Sequence, residues 1–430
     1  MAFDLLLRGA SLPDGRTGID IGITDGRIAA VEAGLKAEAG RILDVTGLLV
    51  SPPFVDCHFH MDSTLSLGNP RLNASGTLLE GIAIWGELKP HLTQEAIVDR
   101  ALAYCRLAVA QGIGAIRSHV DVCDDRLLAV DALLEVQRRV RPWLDLQLVA
   151  FPQDGYLRSP TAADNLKRAL DRGVNVVGGI PHFERTMADG AASIRALCEI
   201  AADRGLLVDM HCDESDDPWS RHVETLAAEV HRTGLHGRAV GSHLASMHSM
   251  DNYYVSKLLP LMAEAQLGAI ANPLINITLQ GRHDSYPKRR GMTRVPELMD
   301  AGITVGFGHD CVMDPWYPLG SGDMLEVASM ALHVAQMTGT AQMDACFRAV
   351  TEAPATLLHL DGYGLAPGAR ADLVVLQAAD PAEAIRLKAT RLMVLRAGQV
   401  IAETAPRQTR LTLPEEDAQL LEPLRRSLLP

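Results

Sequence analysis

Apolar residues in this chain fall into two alternating textures. One is a short, nearly uninterrupted run that ends on a polar side chain. Leu48 to Val55 leads to His58 and His60, Leu146 to Phe151 to Gln153, Leu207 onward to His211, Ala239 onward to His243, and Ile303 to Phe307 to His309 and Asp310. The other is a stripe at three- to four-residue spacing, as in Ala96 to Gln111. There Ile97, Ala101, Cys105 and Ala108 recur, Thr93 stands ahead as an N-cap and Gly112 follows as a stop. Continuous runs read as strands buried on both faces, and stripes read as amphipathic helices. Adding Ala115 to Val122, Val174 to Pro181 and Gly268 to Asn276 brings the strands to eight, the first ending at His60 and the last at Asp310. Eight strands alternating with helices predict a (β/α)8 TIM-like barrel of the α/β class, whose strands deliver their C-terminal ends to one face.

The flanks lose that rhythm. Residues 4–50 read as short strands broken by turn residues such as Asp25-Gly26, and residues 371–402 repeat the texture with runs at 372–376 and 392–401. These pieces predict a small β-sandwich domain assembled from both termini, residues 1–50 and 361–430, beside a barrel over residues 51–360. A chain of 430 residues accommodates that plan. The Pro- and Leu-rich tail from Leu411 to Pro430 reads as a docking or loosely packed extension.

Composition narrows the partners. The formal net charge is -13, and apart from Lys288-Arg289-Arg290 no basic run exists to meet a phosphate backbone, so nucleic acid is not an expected partner. Met1 to Arg8 lacks the basic start and long apolar core of a signal peptide, and no span is long enough to cross a bilayer. A cytoplasmic protein without membrane contact is expected. Seven cysteines with no C-x-x-C fit reduced thiols better than a disulfide framework.

Two histidines one residue apart on a strand project to the same side, so His58 and His60 can grip one divalent cation. With 15 histidines in the chain, such a pair arises readily by chance, and its weight comes from the strand ends downstream. Two histidines after strand one, one each after strands five and six, and an aspartate after strand eight resemble the metal signature of the amidohydrolase superfamily. Strand four, Val174 to Ile180, has no lysine to be carboxylated as the bridge of a two-metal site. The resemblance therefore implies a mononuclear centre and points to the deaminases. Closer still, the chain is similar to the bacterial cytosine deaminases along nearly its whole length. Pro52 to Val55, Ser75 to Leu78, Ala150 to Gln153, Ile180 to Glu184, His211 to Glu214, Tyr286 to Gly291 and Asp314 to Gly320 carry the likeness. It implies that His58, His60, His211 and Asp310 bind one Fe2+ or Zn2+ per subunit, with His243 behind them on the metal's water. Glu214 becomes the proton shuttle, Gln153 and the Leu78 carbonyl read the pyrimidine, and Trp316 walls the pocket. Enzymes of this kind are commonly oligomers, so a homo-oligomer acting on a small nucleobase is expected.

The chemistry holds together independently. A cation on three imidazoles and a carboxylate lowers the pKa of its water from about 15.7 to about 7. Glu214, three residues past a ligand, can protonate ring N3 of a cytosine, and His243 and Asp310 can take the water's proton. The amide of Gln153 suits an adjacent carbonyl and ring N–H. One departure stands out. After the strand-eight ligand the cytosine enzymes carry a second aspartate, near the amine and C5 edge of the base; here it is Cys311. A small neutral thiol leaves room for a C5 methyl, worth ~0.8 kcal/mol in transfer, and predicts that 5-methylcytosine is accepted alongside or ahead of cytosine. Against this stands a tolerated variation, with cytosine as the main substrate. Isocytosine, creatinine or an s-triazine shares the amidine-carbonyl pattern and remains an alternative, as does a ring-opening cyclic amidohydrolase, which the missing lysine disfavours. A scaffold without metal would show a substituted ligand, and none is substituted.

Other residues have plainer readings. His119, His182 and His309 lie near strand ends but are surplus to a four-ligand site, and structural hydrogen bonding is expected of them. Asp62 and Asp314 read as carboxylates that orient loops, and strand alternation turns Cys57 and Cys212 away from the site. His222-Val223-Glu224 mimics the H-x-E of the zinc nucleobase deaminases, but no P-C-x-x-C accompanies it.

Overall fold

The apolar runs become barrel strands because a parallel sheet wrapped by helices has no wet face. In the computed structural model, which describes residues 2–408, 410 and 412, the strands are β1 (Phe54–Phe59), β2 (Ile113–Asp121), β3 (Asp145–Phe151), β4 (Val176–Gly179), β5 (Leu207–Cys212), β6 (Ala239–His243), β7 (Gly268–Ala271) and β8 (Val305–Phe307). Each pairs with the next in chain order. Every residue of β1, β4, β6, β7 and β8 is buried, so the continuous run rather than alternation is the pattern the fold demands. The ring closes through a single bridge between Phe59 and Asp310. Asp310 N–H donates to the His58 carbonyl at 2.8 Å, and His60 N–H donates to the Asp310 carbonyl at 3.0 Å. Residues predicted to bind metal thus also stitch the barrel shut.

Helix α1 (Leu78–Leu88) precedes the predicted stripe, which folds as α2 (Gln94–Ala110). Thr93 caps α2 as expected, its hydroxyl accepting from Ala96 N–H at 3.2 Å. Two expected strands are corrected. Gly268 to Asn276 is a strand only to Ala271, and Pro273–Leu279 is a helix, α3. Proline at the first helical turn loses no hydrogen bond and has its φ already set, so Pro273 converts an apolar run into a helix start. In the flank, the run 392–401 is two strands, Arg391–Arg396 and Gln399–Glu403, folded back on each other. Ala397 and Gly398 between them both have positive φ, as a two-residue hairpin turn requires.

The chain divides into two units, one from Phe54 to Asp361 and one built from the chain up to Pro53 and from Gly362 onward. The second is two four-stranded sheets. Phe3–Ala10, Ile19–Thr24, Arg27–Ala33 and Ala39–Asp44 form one, while Leu49–Ser51 joins Leu373–Leu376, Arg391–Arg396 and Gln399–Glu403 in the other. Leu7, Ile21, Ile23, Val50, Leu373, Val375 and Leu395 share one apolar core, which makes the unit a sandwich. The termini therefore do pair within a sheet, through Leu49–Ser51 against Leu373–Leu376, and an isolated bridge also joins Arg27 to Arg370. The predicted tail extension from Leu411 to Pro430 lies outside the described residues apart from Thr412. Among the described residues, no helix is long and apolar enough to cross a membrane.

Candidate active site

Strand alternation puts His58 and His60, the latter just past β1, on one side, while His211 is the penultimate residue of β5 and His243 the last of β6. Asp310 stands just past β8. His243 and Asp310 both have φ of +71°. Non-glycine residues held there cost ~1–3 kcal/mol each and cluster at functional sites. At Gly308 a Cβ would stand 2.6 Å from that of His58, so glycine there lets the end of β8 approach β1.

The donor atoms converge. His60 Nε2 lies 3.1 Å from His211 Nε2 and 3.3 Å from Asp310 Oδ1, and His58 Nε2 lies 3.5 Å from the same oxygen. Four ligands at ~2.1 Å from one cation stand ~3.4 Å from each other, so the set has the spacing of a coordination sphere. His58 Nε2 is fully buried with no hydrogen-bond partner among the described residues, as a metal-facing nitrogen would be. Burial, reinforced by neighbouring imidazoles, pushes His58 and His211 well below the usual histidine range, and burial pushes His60 down to about 4. The three rings are neutral and offer lone pairs. Burial and the adjacent Glu214 push Asp310 well above the usual carboxylate range, a cost that a cation relieves. The residues present fit a divalent metal.

Above this set opens a pocket lined by His60, His211, His243, Asp310, Glu214, Gln153, Leu78, Cys311 and Trp316, with Ile82, Ile180, Phe183 and Ile275 among its apolar walls. Every predicted site residue except His58, which lies behind it, reaches this one cavity. Glu214 Oε1 is 3.4 Å from His243 Nδ1, and burial pushes its carboxyl up to about 8. His243 Nε2 faces Asp310 Oδ2 at 3.9 Å. Gln153 is buried and lines the same cavity. Cys311 Sγ lies 3.8 Å from Asp310 Oδ1. Burial, with Asp314 and Asp310 adding to it, pushes the thiol well above its usual range and keeps it neutral.

Two residues were missed. Asn276 Nδ2 lies 3.3 Å from Glu214 Oε1 and 3.1 Å from His243 Nδ1, and Asn272 Nδ2 lies 3.2 Å from the same ring nitrogen. Asn272 is the polar residue that ends β7, the same signal that marked the other strands, and Asn276 is one helical turn on. Reading both as strand hid that relation. His182 lines the pocket as well as bonding to the His211 carbonyl at 3.0 Å. His309 bonds to the Cys311 carbonyl, and His119 to the ring of His58. Asp314 accepts from Ser63 and from the N–H groups of Trp316 and Tyr317, holding the loop that carries Trp316. Asp62 accepts from Asp121 N–H. Cys57 turns to the Phe307 carbonyl, and His222 pairs with Asp213 outside the pocket.

A model of the amidohydrolase family matches residues 41–402. The crystal structure of 5-methylcytosine deaminase from Klebsiella pneumoniae, liganded with 5-fluorocytosine, is 42% identical, covers 94% of this chain and 99% of that one, and has a TM-score of 0.92. N-isopropylammelide isopropyl amidohydrolase of Pseudomonas sp. (strain ADP) is 28% identical over 409 residues, 93% of this chain and 98% of that protein. Pterin deaminase of Rhizobium rhizogenes is 29% identical over 393 residues, 90% of this chain and 88% of that protein.

Proposed function

Because the chain belongs to the amidohydrolase family, we propose that it hydrolyses the exocyclic C–N bond of a free pyrimidine base, 5-methylcytosine and/or cytosine, giving thymine or uracil and ammonia. The observation that carries this reading is one small pocket in which Glu214, Gln153 and Cys311 face His60, His211 and Asp310. The likeness to 5-methylcytosine deaminase supports it, and the coarser statement, a hydrolytic deaminase, holds for the chain as a member of its family.

His58, His60, His211 and Asp310 would hold one Fe2+ or Zn2+, which when bound supplies Lewis-acid activation of water. Glu214 places its carboxyl beside ring N3 and hands it a proton, which turns C4 into an electrophile. His243, tied by Asn272 and Asn276, and Asp310 take up the proton of the attacking water. A proton returned to the exocyclic nitrogen lets it leave as ammonia. Gln153 presents an acceptor and a donor from one amide to the ring carbonyl and its neighbouring N–H. Leu78 is the first residue of α1, and its carbonyl keeps a second lone pair for the base. Trp316 covers one side of the ring, and Cys311 leaves apolar space for a C5 substituent.

An ammonia-coupled assay with cytosine and 5-methylcytosine tests the reading. We expect kcat/KM for 5-methylcytosine equal to or above that for cytosine. Cys311→Asp should cut the ratio of the two by about 10–200-fold, the range that one methyl commands in a pocket. A ratio unmoved by Cys311→Asp overturns the role of the thiol. Faster turnover of an N-isopropylammelide-type triazine than of either base overturns the substrate, the reading that the Pseudomonas relative favours.

Gly81→Ala checks the aromatic wall. A Cβ at Gly81 would collide with Cδ1 of Trp316, and overpacking of this kind costs about 1–3 kcal/mol. We expect KM to rise by roughly tenfold with Trp316 displaced, read from steady-state kinetics and tryptophan fluorescence.

A further inference from the structure

Beneath the ligand set lies a second polar layer, sealed inside the barrel. Arg117 and His119 sit two residues apart on β2, and Asp209 stands two residues before His211 on β5. With Ser242, these residues are all fully buried. His119 Nε2 lies 3.1 Å from Nδ1 of His58. Asp209 is 3.8 Å from that same His119 nitrogen, too far for a hydrogen bond. Its oxygens are committed elsewhere, Oδ2 to Arg117 at 2.9 Å and Oδ1 to Ser242 Oγ at 2.6 Å.

The hydrogen bond between the two rings needs one proton, and its position decides whether His58 can ligate. A neutral His58 that offers the Nε2 lone pair to a cation carries its proton on Nδ1. It must then donate to His119 Nε2, which has to be bare. A free carboxylate at Asp209 would draw a proton onto His119 Nε2 and force His58 into the opposite tautomer. Arg117 and Ser242 hold Asp209 away from that nitrogen. The arrangement leaves Nδ1 of His119 without a hydrogen-bond partner among the described residues. In this tautomer that nitrogen carries a buried, unpaired N–H, a cost that ligation by His58 has to offset.

We propose that His119 is a positioning residue that fixes the ring tautomer of His58, with Asp209 held aside by Arg117 and Ser242. This role rests on the metal reading of the site given above. His58, His119 and Asp209 also lie close enough together to hold a cation of their own. The guanidinium of Arg117 against Asp209 opposes a second positive charge there.

The test is zinc affinity of the metal-stripped full chain, by competition with a chromophoric chelator, for wild type, His119→Gln and His119→Leu. Glutamine keeps an acceptor where Nε2 stood and leucine removes it. We expect one zinc per wild-type chain, affinity reduced about 10–100-fold in His119→Leu, and near-wild-type affinity in His119→Gln. Equal affinity for all three proteins, or equal loss in both variants, overturns the proposal. Nitrogen-15 NMR of the histidine rings in zinc-loaded wild type needs no variant. A proton on His119 Nδ1 supports the role, and a proton on Nε2 overturns it. Two zinc ions per wild-type chain would assign the lower layer to a second cation and overturn it too. Failure of wild type to bind zinc overturns the metal reading itself, and this role with it.

Discussion

Glu214→Gln is expected to lower kcat by about 10²–10⁴-fold, the usual contribution of a positioned general acid–base group, while metal content stays at the wild-type level. Glutamine preserves the shape and can still meet Asn276, which lies 3.3 Å from Glu214 Oε1, so the pocket should stay intact. What is lost is a proton that can move. The amidine carbon of an aminopyrimidine resists attack until N3 is protonated, and among the described residues the other carboxylic acid lining this cavity is Asp310, assigned above to the proposed ligand set. Single-turnover rates and metal analysis on the same preparation separate the two effects. A variant with full metal and unimpaired turnover would remove Glu214 from the chemistry.

Stripping the metal should abolish ammonia release altogether, with recovery at one equivalent of Zn2+ or Fe2+ per chain. The donor set explains why. His60 lies 3.1 Å from His211 and 3.3 Å from Asp310, and His58 lies 3.5 Å from Asp310, a cluster of buried donor atoms that a cation would hold together. Asp310 is held well above its usual range by burial and by Glu214, a cost that a cation relieves. Because the metal binds only the folded chain, it should also stabilise it, by about 2.7 kcal/mol at a free concentration one hundred times Kd. The melting temperature with and without chelator reads that directly. Activity that survives complete removal of metal would sink the mechanism.

Much of this site is legible in the chain because a parallel barrel writes a local pattern. A strand buried on both faces must be apolar throughout, and the polar residue that ends it must be at the C-terminal rim, where chemistry occurs. His58, His60, His211, His243 and Asp310 stand out on that ground. Glu214 and Gln153 do not; a lone carboxylate or amide after a strand is ordinarily solvated. They needed the resemblance of the surrounding stretches, and the structure brings both into the cavity with the ligands. Asn272 and Asn276 escaped because an apolar run with proline inside it reads equally as strand or helix start.

What the sequence determined by itself is the set of barrel strands, the residues that end them and the two-part division of the chain, since each depends on polarity at neighbouring positions. Tertiary structure alone decided the pairings between elements far apart in the chain. His119 on β2 meets His58 on the neighbouring strand β1, and Asn276 joins Glu214 to His243. Asp310 and His58 close the ring through their backbones, and Leu49–Ser51 links the two terminal segments in one sheet. Such contacts follow from strand stagger and register around a closed barrel, which no stretch of adjacent residues specifies.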